Sequence, residues 1–270
     1  MKPVLKYPGA KWRLADWIIS QMPPHEGYIE PFFGSGAIFF NKPPSRIETI
    51  NDLDGSIVRF FQVCRERPED LAYALSLTPW SREEFLQSDF CDEQVNDIEA
   101  ARQVAVRCWM TFGARTHCKT GWRHTTGAKR DGGPDNPKLW TRLPDIIRQV
   151  AARLQMAQVE NRPALDLIRL YNGPELLMYV DPPYPFCTRT LNGKQYRYEM
   201  TDTDHEELLK ALIKSDSMIL ISGYDCEMYR DLLQGWSITT INTCAERGVK
   251  RIECLWKNSA VMERSNPPCL

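Results

Sequence analysis

A chain of 270 residues, 43% of them apolar and 26% charged, is long enough to bury a full core and has the composition of a soluble globular protein. Its 34 basic residues are balanced by 35 acidic ones, so a uniformly basic nucleic-acid binder is excluded and any such surface must be a local patch. The 9 cysteines stand singly, with no Cys-x-x-Cys and no second pair at zinc-ligand spacing beside His117-Cys118; they read as reduced thiols, and no metal is expected.

In chain order, residues 1–12 are polar and include Pro3 and Pro8, unlike a signal peptide, and no apolar run approaches the roughly 18 residues of a membrane helix. A cytoplasmic protein without membrane contact is expected. Residues 14–21 predict a short helix stopped by Pro23-Pro24. Residues 28–32 predict a strand that runs into the turn Gly34-Ser35-Gly36, and a helix is expected from Ala37 onward. Residues 47–51 predict a second strand, followed over 54–65 by a helix with Ile57, Val58, Phe60 and Phe61 on its apolar side. Strand–helix–strand–helix order favours a parallel sheet. From Pro68 to about Lys138 the chain is more polar, with helical stretches near 69–75, 82–86 and 98–111. Residues 113–137 read as a long loop or hairpin, a length that is usually functional inside a compact domain. The α/β rhythm then returns: a helix over 145–154, strands over 156–159 and 176–180, a helix over 204–214 and a strand over 218–222. Residues 237–241 and 251–256 are expected to pair as a closing hairpin. These elements predict an α/β sheet domain built from both ends of the chain, residues 1–66 and 139–270, with a smaller helical insertion over 67–138.

Three stretches carry chemistry. In Glu30-Pro31-Phe32-Phe33-Gly34-Ser35-Gly36 a strand turns through two glycines, which allow positive φ and close approach of a ligand at the carboxyl end of a sheet. Phe39 stands where a dinucleotide fingerprint has its third glycine, which weakens a nicotinamide reading; by itself the turn is either a cofactor floor or a plain tight turn. Next, Asp52 ends the second strand, placed to accept from both hydroxyls of a ribose, while Asp54 reads as a helix N-cap. Last, the apolar strand over 176–180 stops at Asp181-Pro182-Pro183-Tyr184. Prolines remove backbone donors and leave nearby carbonyls free. An ionised Asp181 and the Pro182 carbonyl can then accept both hydrogens of an exocyclic amine, and Tyr184 offers a ring for a planar base. A strand-terminating turn with a packed tyrosine is the alternative on these residues alone.

Asp181-Pro182-Pro183-Tyr184 is the tetrapeptide of amino-methylating DNA methyltransferases, and its companions stand in the order seen in the Dam-like N6-adenine-specific enzymes, the D12 class. These are Lys6-Tyr7-Pro8-Gly9-Ala10-Lys11, then Glu30 to Gly36, then Asp52, then Leu220-Ile221-Ser222-Gly223-Tyr224-Asp225, and the terminal strand over 251–256. The chain resembles that family from Lys6 to Trp256. The resemblance implies a Rossmann-like sheet with a closing antiparallel hairpin and a helical target-recognition insertion. It implies S-adenosylmethionine as cofactor and an adenine flipped out of double-stranded DNA as substrate. Asp181, Pro182 and Tyr184 would be catalytic; Tyr7, Lys11, Phe33, Gly34, Gly36, Asp52 and Asp181 would hold the cofactor, with Tyr7 against its adenine and Lys11 toward its carboxylate. Tyr-Pro-Gly-Ala-Lys here replaces the commoner Trp-Ala-Gly-Gly-Lys. Glutamine methyltransferases usually carry Asn, and cytosine-N4 enzymes Ser, where Asp181 stands, so adenine is favoured. The resemblance fixes neither the target sequence nor a cognate restriction endonuclease, and it leaves open a bacterial or a phage origin.

Between Arg115 and Lys138 six Lys/Arg face two acids, with Trp122 and two histidines interleaved. Lys119, Arg123, Lys129 and Arg130 are therefore expected to contact DNA, and Arg189 and Lys194 to hold the extruded strand.

Overall fold

The computed structural model describes residues 1–88, 95–112, 120–124, 135–189, 194–244 and 250–265. Among these, seven strands form one sheet: β1 (Gly27–Glu30), β2 (Ile47–Asn51), β3 (Gln158–Glu160), β4 (Leu176–Val180), β5 (Met218–Gly223), β6 (Ser237–Cys244) and β7 (Lys250–Lys257). Their order is β3-β2-β1-β4-β5-β7-β6. β3, β2, β1, β4 and β5 are parallel, whereas β7 runs antiparallel to both β5 and β6. The expected sheet and closing hairpin are present, and the arrangement is Rossmann-like.

The central strands are apolar throughout because helices cover both faces. Alternation sorts their side chains. Leu177, Tyr179, Met218 and Leu220 join one core with Phe33, Ile57 and Phe61. Met178, Val180, Ile219 and Ile221 join the other with Leu208, Leu209 and Leu212.

The helices are α1 (Ala15–Ile19), α2 (Gly55–Glu66), α3 (Pro68–Leu77), α4 (Arg82–Gln87), α5 (Asp97–Met110), α6 (Asn136–Trp140), α7 (Leu143–Leu154), α8 (Ala164–Leu170), α9 (Asp202–Ile213), α10 (Glu227–Leu232) and α11 (Ser259–Ser265). Their starts follow from capping chemistry. Asp54 caps α2 by accepting from the Ser56 amide at 3.0 Å, and Thr201 and Asp204 form a reciprocal capping box on α9. Leu71, Leu75, Val104 and Trp109 from α3 and α5 share one apolar cluster with Phe33 and Ile57. The helices of the inserted stretch are thus anchored on α2 and α7 beside the sheet.

The expectation of a helix from Ala37 fails. Residues 37–41 form successive turns, with Phe40 N–H on the Gly36 carbonyl at 3.0 Å and Lys42 N–H on that of Ile38 at 2.9 Å. Phe39 and Phe40 pack edge-on against Phe33 and each other, so the run is apolar because it is buried on every side, without helical period. α6, α8, α10 and α11 have no counterpart among the helices expected from sequence; each is short.

β1 connects toward β2 on one side, whereas β4 connects toward β5 on the other, so the chain's direction across the sheet reverses between β1 and β4. A crevice opens beyond the carboxyl ends of strands at such a point. Replacing Leu209, fully buried on α9, with Ala should destabilise the fold by about 2–5 kcal/mol, read as a lower urea midpoint at unchanged slope.

Candidate active site

The crevice is a cleft of about 820 Å³, open to solvent and walled by Tyr7, Phe33, Gly34, Asp52, Asp181 and Tyr196, among others. Two glycines at positive φ shape the turn after β1. Gly34 has φ +51°, and a Cβ there would crowd the Tyr7 ring. Gly36 has φ +67°, and a Cβ would strike Phe33 and Phe40. Gly34 therefore shapes the cleft itself, whereas Gly36 lets the phenylalanine cluster close behind it.

Asp52 stands at the end of β2 and accepts from the amides of Gly34, at 2.8 Å, and Asp54, at 2.9 Å. Burial lifts its pKa to about 6 against these amides. Each carboxylate oxygen keeps a further lone pair for a ligand hydroxyl. Asp54 caps α2 as the sequence predicts, and both it and Asp52 line the cleft.

Asp181 sits where β4 ends. Its two oxygens receive the Lys11 ammonium, at 2.8 and 2.9 Å, and the same ammonium donates to the Gly9 carbonyl at 2.8 Å. Lys11 also lies 3.7 Å from Glu253. Burial raises the Asp181 carboxyl, Lys11 pulls it back and Glu253 adds to the rise, leaving it at about 6. For Lys11 burial works downward, but the two carboxylates outweigh it and hold the ammonium well above its usual range. The pair is ionised at neutral pH. At the end of β1, burial lifts Glu30 to about 8, opposed by the Tyr28 hydroxyl and the Phe39 amide, so this carboxyl is protonated at neutral pH.

Tyr184 is half-buried beside this pair. Its hydroxyl donates to Glu253, Lys11 lies over its ring 4.8 Å from the centroid, and Tyr224 packs edge-on at 4.8 Å. Pro182 is buried. The following stretch, residues 194–200, covers the cleft: Tyr196 lies against Gly9 and 6.1 Å from the Tyr7 ring, and Tyr198 and Met200 join the wall. Among the described residues no group of three or more His, Cys, Asp or Glu is placed to hold a metal, and no helix is long and apolar enough to cross a membrane.

The sequence profile of the D12 class N6 adenine-specific DNA methyltransferases matches residues 7–246. The chain belongs to this family. It is 24% identical to a type II methyltransferase of Methanocaldococcus jannaschii, over 89% of this chain and 91% of that one. It is 29% identical to the DNA adenine methylase of Escherichia coli K12, over 85% and 83%. A type II methyltransferase of Lactococcus lactis is 21% identical, over 93% and 90%. This D12-class enzyme methylates N6 of adenine in DNA, drawing on a methyl donor.

The methyltransferase's expected site residues divide into groups. Tyr7, Lys11, Phe33, Gly34, Asp52 and Asp181 share the cleft; Gly36, Pro182 and Tyr184 stand behind or beside it. The ammonium of Lys11, expected to reach toward a cofactor carboxylate, lies on Asp181. Arg189, expected on DNA, is 5% exposed and pairs with Glu199 at 2.6 Å while donating to the Tyr184 carbonyl at 2.7 Å. All three of its guanidinium nitrogens donate within the cover of the cleft. Arg123 donates to the Thr111 carbonyl at 3.1 and 3.2 Å, beside the Thr111–Trp122 bridge. Lys119, Lys129 and Arg130 lie outside the described residues.

Sequence reasoning missed Glu253, Tyr196 and Glu199. None left a clear signal in the sequence: Glu253 is buried on β7 while its neighbour Ile252 is 57% exposed, the reverse of what their side chains suggest. Replacing Lys11 with Met should raise the Asp181 pKa above about 6, because both the charge and the hydrogen bond that hold it down are removed. A carboxyl-carbon NMR titration of Asp181 checks this, and an unmoved midpoint would count against the pairing.

Proposed function

We propose that the methyl donor is S-adenosylmethionine and that the acceptor is an adenine extruded from double-stranded DNA. The observation that carries this reading is that Asp181 and Asp52 open into one cleft, with glycine backbone between them. The residues fit such a cofactor: Asp52 has lone pairs for ribose hydroxyls, Gly34 permits close approach, and Tyr7 and Phe33 give aromatic walls. When bound, the cofactor supplies an electrophilic methyl carbon on sulfur.

The chain's own part is to prepare the amine. The lone pair of an adenine amine is delocalised into the ring. Asp181 and the Pro182 carbonyl accept its hydrogens and favour a tetrahedral nitrogen with a localised lone pair. The nitrogen becomes cationic as it reacts, so a fixed anion stabilises the transition state more than the ground state. Extrusion of the base costs roughly a few kcal/mol, offset in part by contact with Tyr184. In this reading Lys11 keeps Asp181 ionised until the amine arrives and then shares it. No covalent enzyme intermediate is needed.

Residues 1–66 and 139–270 are proposed as the catalytic part and 67–138 as the target-recognition part. The sheet strands come from the first two stretches, and the local run of six Lys/Arg against two acids over 115–138 lies within the third. Trp122 stacks on His124 at 5.5 Å with Arg82 over its ring, an aromatic and basic surface beside the stretch that holds Lys119, Lys129 and Arg130. DNA in the cytoplasm of a bacterial or phage-infected cell is the proposed site of action.

Expression in a host that lacks adenine methylation, followed by sequencing of modified bases, should reveal N6-methyladenine in one sequence context. The Asp181→Ala variant should produce none while binding DNA within about threefold of the native enzyme. Modification by that variant would remove Asp181 from the mechanism. Charge reversal of Lys119, Lys129 or Arg130 should weaken DNA binding and reduce the slope of log K against log salt by about 1 for each phosphate no longer neutralised. A slope that stays put would clear that residue.

A further inference from the structure

Glu253 is a buried carboxylate on a strand whose next three residues, Cys254, Leu255 and Trp256, are apolar and buried. A buried charge is costly unless paired, and an apolar side chain would fill the same position at lower cost. Its place follows from topology. β7 is antiparallel to β5, with Gly223 opposite Cys254, so Glu253 falls just past the carboxyl end of β5. That is the edge of the sheet at which Asp181 ends β4. Its partners there are the Tyr184 hydroxyl and, at 3.7 Å, the Lys11 ammonium.

The net charge of this cluster matters for the reaction. Lys11 contacts both oxygens of Asp181. Taken alone, that pair is neutral and offers little to an amine that becomes cationic. The second carboxylate makes the three-residue cluster net negative.

We propose that Glu253 is a positioning residue for methyl transfer: it draws on Lys11 and fixes the Tyr184 hydroxyl, so that Asp181 meets the amine as an effective anion beside an aligned ring. This rests on the reading of Asp181 given above. Facing the Asp181 carboxylate are Lys11 from the N-terminal segment, Tyr179 on β4, Tyr184 just after it, Tyr196 from the covering stretch, Glu253 on β7 and Glu30 on β1. Of the carboxyls among these, Glu30 is protonated at neutral pH, which leaves Glu253 as the neighbour that raises Asp181.

The test is methyl transfer from labelled S-adenosylmethionine to unmethylated genomic DNA, measured across pH for the native enzyme, Glu253→Gln, Glu253→Asp and Asp181→Asn. Gln keeps the acceptor for Tyr184 and removes the charge. Its plateau rate should fall about tenfold or more, with the KM for DNA within about twofold. Its acidic limb should move to lower pH, because the neighbour that raises Asp181 is gone. Asp keeps the charge and should hold the limb at its native position, with a plateau between those of the native and Gln enzymes. A Gln variant with native plateau and limb overturns the proposal. So does a lowered plateau with an unmoved limb, which marks a purely structural role. Should the Gln variant not fold, the Asp variant decides: a native limb supports the proposal and a downshifted one overturns it. Activity in Asp181→Asn refutes the underlying reading of Asp181, and the proposal with it. A dead Asp181→Asn beside a native-like Glu253→Gln refutes the proposal alone.

Discussion

The ion pair between Lys11 and Asp181 is the contact around which this site is organised. A carboxylate at the end of a buried strand would protonate if left alone, since burial alone drives its pKa upward. An ammonium at 2.8 Å keeps it charged inside the cleft. That arrangement has a chemical consequence: the group that preserves the anion also masks it, so the masking must be relieved for a cationic nitrogen to be stabilised. In the proposed reading, the cluster of Lys11, Asp181, Glu253 and Tyr184 meets both demands with side chains from separate stretches of chain.

Topology makes this convergence possible. The parallel strands β1, β4 and β5 deliver their carboxyl ends to one edge of the sheet, which places Glu30 and Asp181 there. A further parallel strand would have sent its first residues to the opposite edge. β7 runs the other way, so its early residues arrive at the active edge, and Glu253 comes with them. The N-terminal segment supplies Lys11 across the same opening, with Gly9 at φ +69° allowing Tyr196 to close over it. The Arg189–Glu199 pair then ties the covering stretch to the Tyr184 carbonyl through one buried contact.

How much of this is legible in the sequence depends on whether the physics is local. The strand ending in Asp181-Pro182-Pro183-Tyr184, the glycine turn after β1 and the helix cap at Asp54 are set by neighbours in sequence, and the structure holds all three. The run after Gly36 mimics a helix because Phe39 and Phe40 are apolar for the sake of a ring cluster rather than a helical face. Arg189 reads as a surface cation because its partner, Glu199, becomes a neighbour only when the chain folds back. The contact between Lys11 and Asp181 is hidden for a similar reason: the two are 170 residues apart in sequence. Glu253 gives little away because a lone charge in a strand ordinarily marks the solvent face.

The most direct test of the central claim is a crystal structure of the enzyme with S-adenosylhomocysteine and a duplex carrying its modified sequence. The account predicts the target adenine out of the helix, its amine within hydrogen-bond distance of an Asp181 oxygen and of the Pro182 carbonyl, with Lys11 left on the other oxygen or shifted toward Glu253. An extruded adenine whose amine lies elsewhere, with Lys11 still on both Asp181 oxygens, would contradict it.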